Sequence, residues 1–333
     1  MLKNSTLLVT GGTGSFGQRF IDLTLSRFQP KKIIVYSRDE MKQWEMAKKY
    51  QSDQRVSFVI GDIRDKNRLD SIMPEVDYVI HAAATKIVPL AEYNPAECVK
   101  TNINGTTNLI DICKKHNVKK VVALSTDKAC NPINLYGATK LAADKLFIAA
   151  NTYDLSVEST KFSIVRYGNV IGSRGSVIPF FLSKKESDYL PITDNRMTRF
   201  MITLEQAVEL VWHAFDDMQG GEIYVKKIPS MNIIDIAKAV SKSIELREIG
   251  IRPGEKIHEQ MITCEDSFFT YEYEGHFKIL PAIFNCFENI EWIGKGKKVK
   301  EGFSYTSDNN TDWMSIEELE NWIHLNKSII GKF

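Results

Sequence analysis

Four glycines fall within seven residues, Gly11-Gly12-Thr13-Gly14-Ser15-Phe16-Gly17, directly after the apolar run Leu7-Leu8-Val9. Residues 16–28 then carry Phe16, Phe20, Leu23, Leu25 and Phe28, the stripe of an amphipathic helix. The turn satisfies both G-x-x-G-x-x-G (11, 14, 17) and G-x-G-x-x-G (12, 14, 17). Glycines there let the backbone turn tightly and approach a pyrophosphate seated on the helix N-terminus. A strand, this turn and a helix open a parallel α/β unit, and Gly11, Thr13, Gly14, Ser15, Phe16 and Gly17 become candidate cofactor contacts. Read alone, the same residues also suit a glycine-rich turn that holds no ligand.

The unit repeats. Further short apolar runs occur at 32–36, 56–60, 76–80, 120–124 and 162–165. Helical patterns at 96–115 and 136–150 separate the later ones. This alternation predicts an α/β fold: a Rossmann-like, doubly wound parallel sheet whose ligands lie beyond the carboxyl ends of the strands. After about residue 170 the alternation weakens, leaving helix candidates at 204–218 and 232–245 and loop-like stretches at 171–200 and 250–275. The expected division is a cofactor domain over 1–170, which may recapture later segments, and a smaller, discontinuous C-terminal substrate-binding lobe over 171–333.

Two acid/base pairs stand at the predicted ligand edge. Strand 120–124 delivers Ser125-Thr126-Asp127-Lys128, and Tyr136-Gly137-Ala138-Thr139-Lys140 opens the next helix. Tyr136 and Lys140, four apart, share one helix face, where an ammonium can lower a phenol's pKa. Hydride chemistry needs that pair; Asp127 and Lys128 add capacity for a second step, such as proton removal from carbon. Each pair also has a plain structural reading: a loop ion pair for Asp127 and Lys128, a buried tyrosine and surface lysine for Tyr136 and Lys140. Cys130 reads as a small packing residue.

The end of the second strand, Tyr36-Ser37-Arg38-Asp39, bears on the cofactor. Ser37 and Arg38 suit a 2′-phosphate, with Lys42 as a helper, which favours NADP. The alternative leaves Arg38 in solvent and puts Asp39 on the ribose of NAD. In Gly61-Asp62-Ile63-Arg64, Asp62 can accept from the adenine amino group or cap the next helix, with Ile63 beside it. His81-Ala82-Ala83-Ala84 supplies small side chains, Ala82 and Ala83 among them, for close approach of cofactor to backbone.

With Ala91–Pro95, Ser125–Ala129, Asn134–Lys140, Arg166–Val170, Gly172–Val177, Met197–Phe200 and Arg252–Lys256, these segments resemble the extended short-chain dehydrogenase/reductase family of nucleotide-sugar enzymes over nearly the whole chain. Within it they most resemble the C5-inverting UDP-N-acetylglucosamine 4,6-dehydratases of pseudaminic acid biosynthesis. The resemblance implies NADP, UDP-N-acetylglucosamine and a homo-oligomer, a dimer or hexamer with 96–115 and 136–150 as dimer faces. It implies that Tyr136 takes the C4 hydroxyl proton, Thr126 bonds the C4 oxygen, Lys128 takes the C5 proton with a depressed pKa, and Asp127 protonates the departing C6 hydroxyl. Lys86, Asn169, Ser173, Arg174, Arg199, Arg252 and Glu255, with Lys256, are implied around the nucleotide sugar, Lys86 also facing cofactor. Each arginine could instead be a surface charge. Retaining relatives carry Thr-Asp-Glu where this chain has Thr126-Asp127-Lys128, and 4-epimerases lack the Asp-Lys pair. A sensor or scaffold on this fold usually lacks the tyrosine or lysine, and both are present. One departure from the pattern is Ile87, where a histidine is expected. Phe303–Asn310 matches the family's C-terminal portion without an assigned role.

Composition narrows the partners. The 333 residues carry 43 Lys+Arg against 42 Asp+Glu, net +1, which makes no case for a nucleic-acid or membrane surface. No run approaches the roughly 20 apolar residues of a span, and the N-terminal apolar run is too short for a signal segment, so a cytoplasmic protein is expected. Cysteines 98, 113, 130, 264 and 286 form no C-x-x-C, and the six histidines form no H-x-x-H, so neither a disulfide framework nor a metal is expected.

Overall fold

The computed structural model describes residues 2–152, 159–284 and 289–331; Cys286 lies outside them. The first half alternates as the apolar runs predict. It runs β1 (Thr6–Thr10), α1 (Ser15–Arg27), β2 (Lys32–Ser37), α2 (Glu40–Lys49), β3 (Val56–Ile60), α3 (Lys66–Ile72) and β4 (Tyr78–His81). Then come α4 (Val88–Tyr93), α5 (Pro95–Val99), α6 (Gly105–Lys115), β5 (Lys120–Thr126), α7 (Leu135–Ala150) and β6 (Lys161–Tyr167). The strands pair in parallel in the order β3-β2-β1-β4-β5-β6. Leu7, Leu8 and Val9 in β1 and Val121 and Val122 in β5 are fully buried, as a sheet covered on both faces requires.

The single helix expected over 96–115 is interrupted by a π-helical turn, Lys100–Asn104. That turn carries buried Asn102, whose Oδ1 accepts from the Thr85 amide at 2.8 Å. Its Nδ2 donates to the Thr85 carbonyl at 3.0 Å and to Thr139 Oγ1 at 3.0 Å. One amide thus ties the loop after β4 to α7, and π turns recur at functional sites for this kind of placement.

The later segments are more ordered than their sequence suggested. Strand Ile223–Lys226 adds to β6 in parallel, and His276–Ile279, Thr270–Glu272 and Lys297–Lys298 extend the sheet antiparallel to ten strands. Helix Leu204–Asp217 packs on α1, where Trp212 Nε1 donates to Thr24 Oγ1 at 3.2 Å. The helix expected over 232–245 spans Ile233–Val240, and Glu245–Glu248 is a strand paired with Tyr189–Ile192. A second apolar core gathers Ile178, Phe181, Leu190, Met197, Met201, Met231, Ile236 and Leu319. It belongs to a small lobe assembled from separated stretches, interleaved with segments that rejoin the sheet. No helix among the described residues is long and apolar enough to cross a membrane.

Candidate active site

β1 lies between β2 and β4, so the order of strands reverses beside it and a crevice opens at its carboxyl end. Gly11 turns there with φ +67°, and a Cβ at that position would lie 2.7 Å from the Ala83 amide nitrogen. Only glycine fits. Gly14 stands at the N-cap of α1 and offers no side-chain cap, so the helix N-terminus suits an anionic ligand. These features fit a dinucleotide pyrophosphate.

The loops named from sequence converge on this turn. The Arg174 amide donates to Ser15 Oγ at 3.3 Å, and Lys86 Nζ donates to the Arg174 carbonyl at 3.3 Å. Phe16 stacks on Tyr167 with ring centroids 6.5 Å apart. Ser173 Oγ donates to the Val170 carbonyl at 3.0 Å, and Asn169 lies in a short strand paired with Met201. Ala82 and Ala83 line the turn's other side, and Ile63 is buried beneath Gly105.

At the ribose edge, Gln43 Nε2 donates to both the carbonyl and Oγ of Ser37, each at 3.0 Å, leaving the serine its own hydrogen to donate. Arg38 stays exposed, 3.6 Å from Asp62 Oδ2. Asp62 also binds Arg64 at 2.6 Å and accepts from its amide, so it is a turn carboxylate with a cation already on it. Asp39 caps α2 through the Lys42 amide at 3.0 Å, and its carboxylate holds Lys42 Nζ at 3.1 Å. The Lys42 ammonium thus pairs with the carboxylate that caps its own helix, with 42% of its side chain exposed.

β5 runs two residues further than its apolar pattern, to Thr126, and a 3₁₀ turn, Asp127–Ala129, follows. Thr126 Oγ1 donates to Asp127 Oδ1 at 2.8 Å, and Lys128 Nζ lies 3.1 Å from the same oxygen. Asp127 is 1% exposed, whereas Lys128 keeps 26% of its side chain open to the cleft. α7 abuts this turn so closely that a Cβ on Gly137 would lie 2.1 Å from the Lys128 carbonyl oxygen. Asn134 caps α7 through the Gly137 amide at 2.8 Å, and its Nδ2 donates to the Gly254 carbonyl at 2.8 Å. The first turn of α7 therefore presents buried Tyr136 to Asp127 and Lys128, and Lys140, also buried, follows in the second turn near Asp144.

The charges differ from the expectation in two places. Burial pushes the Tyr136 phenol up to about 12, opposed first by the Lys128 ammonium and then by a hydrogen bond with Thr126. The cation acting most on Tyr136 is Lys128 rather than Lys140, whose own pKa burial lowers against the pull of Asp144. Lys128 is not depressed: against its burial, Asp127 and Glu259 hold its ammonium above the usual range. Burial raises the Asp127 carboxyl, and the nearby Glu259 charge adds to that. A raised carboxyl suits an acid.

Sequence reasoning missed the frame behind these groups. Ser125 Oγ donates to Asp144 Oδ2 at 2.8 Å, Arg166 lies 3.4 Å from the same oxygen, and Arg166 Nη1 donates to the Met261 carbonyl at 2.9 Å. Met261 lies two residues after Glu259, whose Oε1 is 3.1 Å from Lys128 Nζ. Nothing in the local pattern of 257–262 marks Glu259, because its partners come from elsewhere in the chain.

On the substrate side, Arg199 does not reach outward for a phosphate. It is buried and donates to the carbonyls of Thr198 at 2.7 Å, Ile257 at 3.0 Å and Lys256 at 3.1 Å. Lys256 Nζ donates to the Cys130 carbonyl at 2.5 Å, and burial pushes the Cys130 thiol up to about 12, in line with a packing role. Arg252 remains exposed and pairs with Glu255, whose side chain is only 20% exposed. Ile87 is 50% exposed at the start of α4.

Residues 7–281 match the family described as polysaccharide biosynthesis protein. A Campylobacter jejuni protein named UDP-N-acetylglucosamine 4,6-dehydratase (inverting) is 54% identical over 96% of this chain and 97% of its own. A Rickettsia bellii protein named UDP-glucose 4-epimerase is 39% identical over 96% of this chain and 95% of its own. The X-ray structure of Pen from Bacillus thuringiensis superposes with a TM-score of 0.88 at 39% identity, covering 98% of this chain and 99% of that one. DesIV of Streptomyces venezuelae, a dTDP-glucose 4,6-dehydratase solved with NAD, shares the fold at a TM-score of 0.67 and 22% identity, over 75% of this chain and 86% of that one. With this glycine turn, strand order and tyrosine–lysine pair, the chain belongs to the polysaccharide biosynthesis protein family of short-chain dehydrogenase/reductase-type nucleotide-sugar enzymes.

Proposed function

We propose that this chain is a C5-inverting UDP-N-acetylglucosamine 4,6-dehydratase, an NADP-dependent hydro-lyase. Its product is UDP-2-acetamido-2,6-dideoxy-β-L-arabino-hex-4-ulose, the first intermediate of pseudaminic acid biosynthesis. The observation that carries the reading is Lys128 beside Asp127, its Nζ 3.1 Å from the carboxylate, at the strand end that faces Tyr136. The name of the 54% identical relative supports it.

A nicotinamide dinucleotide, held at the glycine turn of Gly11, Gly14 and Gly17, would supply reversible hydride acceptance, so that no cofactor would be consumed. Tyr136 accepts the C4 hydroxyl proton; burial pushes its phenol up to about 12, and the Lys128 ammonium and the Thr126 hydrogen bond oppose that rise. Lys128 removes the C5 proton that the C4 ketone acidifies. Asp127, whose carboxyl burial raises, protonates the C6 oxygen as it leaves in water. Two protons leave the sugar, from O4 and C5, and two are delivered, to the departing oxygen and to C5 from the opposite face. In number, the proton given by Asp127 matches the one taken by Lys128, and the proton returned to C5 matches the one taken by Tyr136.

Ser37 and Arg38 support NADP over NAD: one keeps a hydroxyl hydrogen and the other an exposed guanidinium, while Asp39 is taken by the helix cap. Lys86, Asn169, Ser173, Arg174, Arg252 and Glu255 line or border the same cleft and fit contacts to the nucleotide sugar; Arg199 supports them from behind. A cytoplasmic homo-oligomer is part of this proposal.

The test is time-resolved NMR with UDP-N-acetylglucosamine and NADP in heavy water. The expected outcome is an L-arabino 4-keto-6-deoxy product with deuterium at C5 at early time points. A D-xylo product at those times indicates a retaining enzyme. The second reading, a 4-epimerase, is favoured by the 39% identical relative of that name and predicts a C4 epimer without loss of water.

A further inference from the structure

We propose that Glu259 is the positioning residue for Lys128, steering the proton that Lys128 and Asp127 share onto Asp127. This rests on the proposed roles of those two residues. The geometry is a line of three groups: Asp127 Oδ1 and Glu259 Oε1 each lie 3.1 Å from Lys128 Nζ, on a side chain that reaches the cleft. Glu259 is 3% exposed and Asp127 1%, and one oxygen of each, Glu259 Oε2 and Asp127 Oδ2, is buried without a hydrogen-bond partner among the described residues. A buried carboxylate left half-satisfied is costly, and a chain keeps such a group where its charge is used.

Glu259 is also clamped. Its amide donates to Ser307 Oγ at 2.9 Å and its carbonyl accepts from the Ser307 amide at 2.8 Å. Ser307 Oγ lies 2.6 Å from Thr198 Oγ1, and strand Tyr305–Thr306 pairs with Gln260–Ile262. The C-terminal stretch 303–310 thus acquires a purpose: it fixes Glu259 against the turn that carries Lys128.

Four charged groups act on Glu259: Lys128 from the 3₁₀ turn, Arg199 at 3.8 Å from strand Thr198–Ile202, Lys256 from its own segment, and Asp127 across the ammonium. Three are cations, so Glu259 stays ionised; against burial they bring its carboxyl below the ordinary value. Asp127 has one cation beside it and Glu259 as a like charge, and its carboxyl is raised. Of two carboxylates flanking one ammonium, the proton therefore goes to Asp127. Lys128 passes its proton to Asp127 Oδ1, giving an amine and a carboxylic acid. The amine takes the C5 proton, and the acid gives its proton to the departing C6 oxygen. Ammonium and carboxylate are restored, with no proton gained or lost by the pair.

The test compares pH profiles of kcat for the parent, Glu259→Gln and Glu259→Asp, with thermal unfolding and NADP binding as folding controls. Glu259→Gln is expected to lower kcat about a hundredfold. Both limbs of its profile are expected to move to lower pH, because Lys128 loses an anion and Asp127 loses a like charge. Glu259→Asp, which keeps the charge, is expected to hold the parent's limbs with an intermediate kcat. Unmoved limbs in a folded Glu259→Gln, or equal losses in both variants, overturn the proposal and leave Glu259 a structural residue. Should Glu259→Gln not fold, Ser307→Ala supplies the test: a smaller shift in the same direction supports the clamp, and unmoved limbs refute it. A parent that forms no dehydrated product refutes the proposed function itself, which is a separate outcome.

Discussion

Two Asp–Lys pairs in this molecule have the same separation and opposite characters. Asp39 and Lys42 sit 3.1 Å apart with 44% and 42% of their side chains exposed. Asp127 and Lys128 also sit 3.1 Å apart, with Asp127 1% exposed. At the surface, the amide and ammonium of Lys42 hold the Asp39 carboxyl below its ordinary value, and the pair closes a helix end. In the cleft, burial raises the Asp127 carboxyl even with an ammonium beside it. Two unit charges at 4 Å interact by about 1 kcal/mol in water and about 4 kcal/mol at an effective dielectric of 20. Distance alone therefore does not say what an ion pair does. Burial, and a third charge such as Glu259, turn one pair toward proton transfer while the other stays a cap.

Substitutions can break that contrast. Lys128→Met should have the largest effect, abolishing C5 deuterium uptake and lowering product formation by about 10³-fold or more, with NADP binding retained. Asp127→Asn should reduce water loss by about 10²-fold and lower C5 exchange with it, because the amide can neither protonate the C6 oxygen nor accept the Lys128 proton. NMR in heavy water reads both quantities; C5 exchange at the parent's rate in Asp127→Asn would remove the assigned proton transfer from Lys128 to Asp127.

At the exposed edge the effects are smaller. Arg38→Ala should lower the NADP-over-NAD preference in kcat/KM by about tenfold, the worth of a hydrogen bond to a charged group. Lys42→Ala should leave that preference near the parent's. Asn134→Ala should cost about 1 kcal/mol in urea unfolding through loss of the α7 cap. It should also loosen 252–256, which Asn134 holds through the Gly254 carbonyl.

Acid titration of stability tests the contrast most gently. Asp77 and Asp217, despite burial, are held below the ordinary 3.8 by Lys119 and Lys278. Their contribution is present above that unfolded value and lost as pH falls through their lowered folded values. Asp127, raised in the folded state, works the other way and favours folding as it protonates. Asp77→Asn and Asp217→Asn should flatten the acid loss of unfolding free energy, and Asp127→Asn should not.

The parallel half of the sheet is legible because parallel strands are buried on both faces and read as unbroken apolar runs, as Ile33-Ile34-Val35 does in β2. The antiparallel extension is not, because Thr270–Glu272 and His276–Ile279 are only three and four residues long. They owe their place to the edge that Ile223–Lys226 leaves open beside β6. Asn102 escaped notice for a related reason: a helical pattern does not show where a turn widens to aim one amide at two other segments.

The order of residues alone determined that a glycine turn joins the first strand to the first helix and that Asp127 and Lys128 follow a strand end, with Tyr136 opening the next helix. Spacing within a turn or a helix is local, and local geometry follows from local sequence. Which of these groups holds a proton, and that Arg199 turns inward while Glu259 closes on Lys128, only the tertiary structure decided. Those properties depend on burial and on charges brought together from turns, strands and loops that the chain keeps far apart.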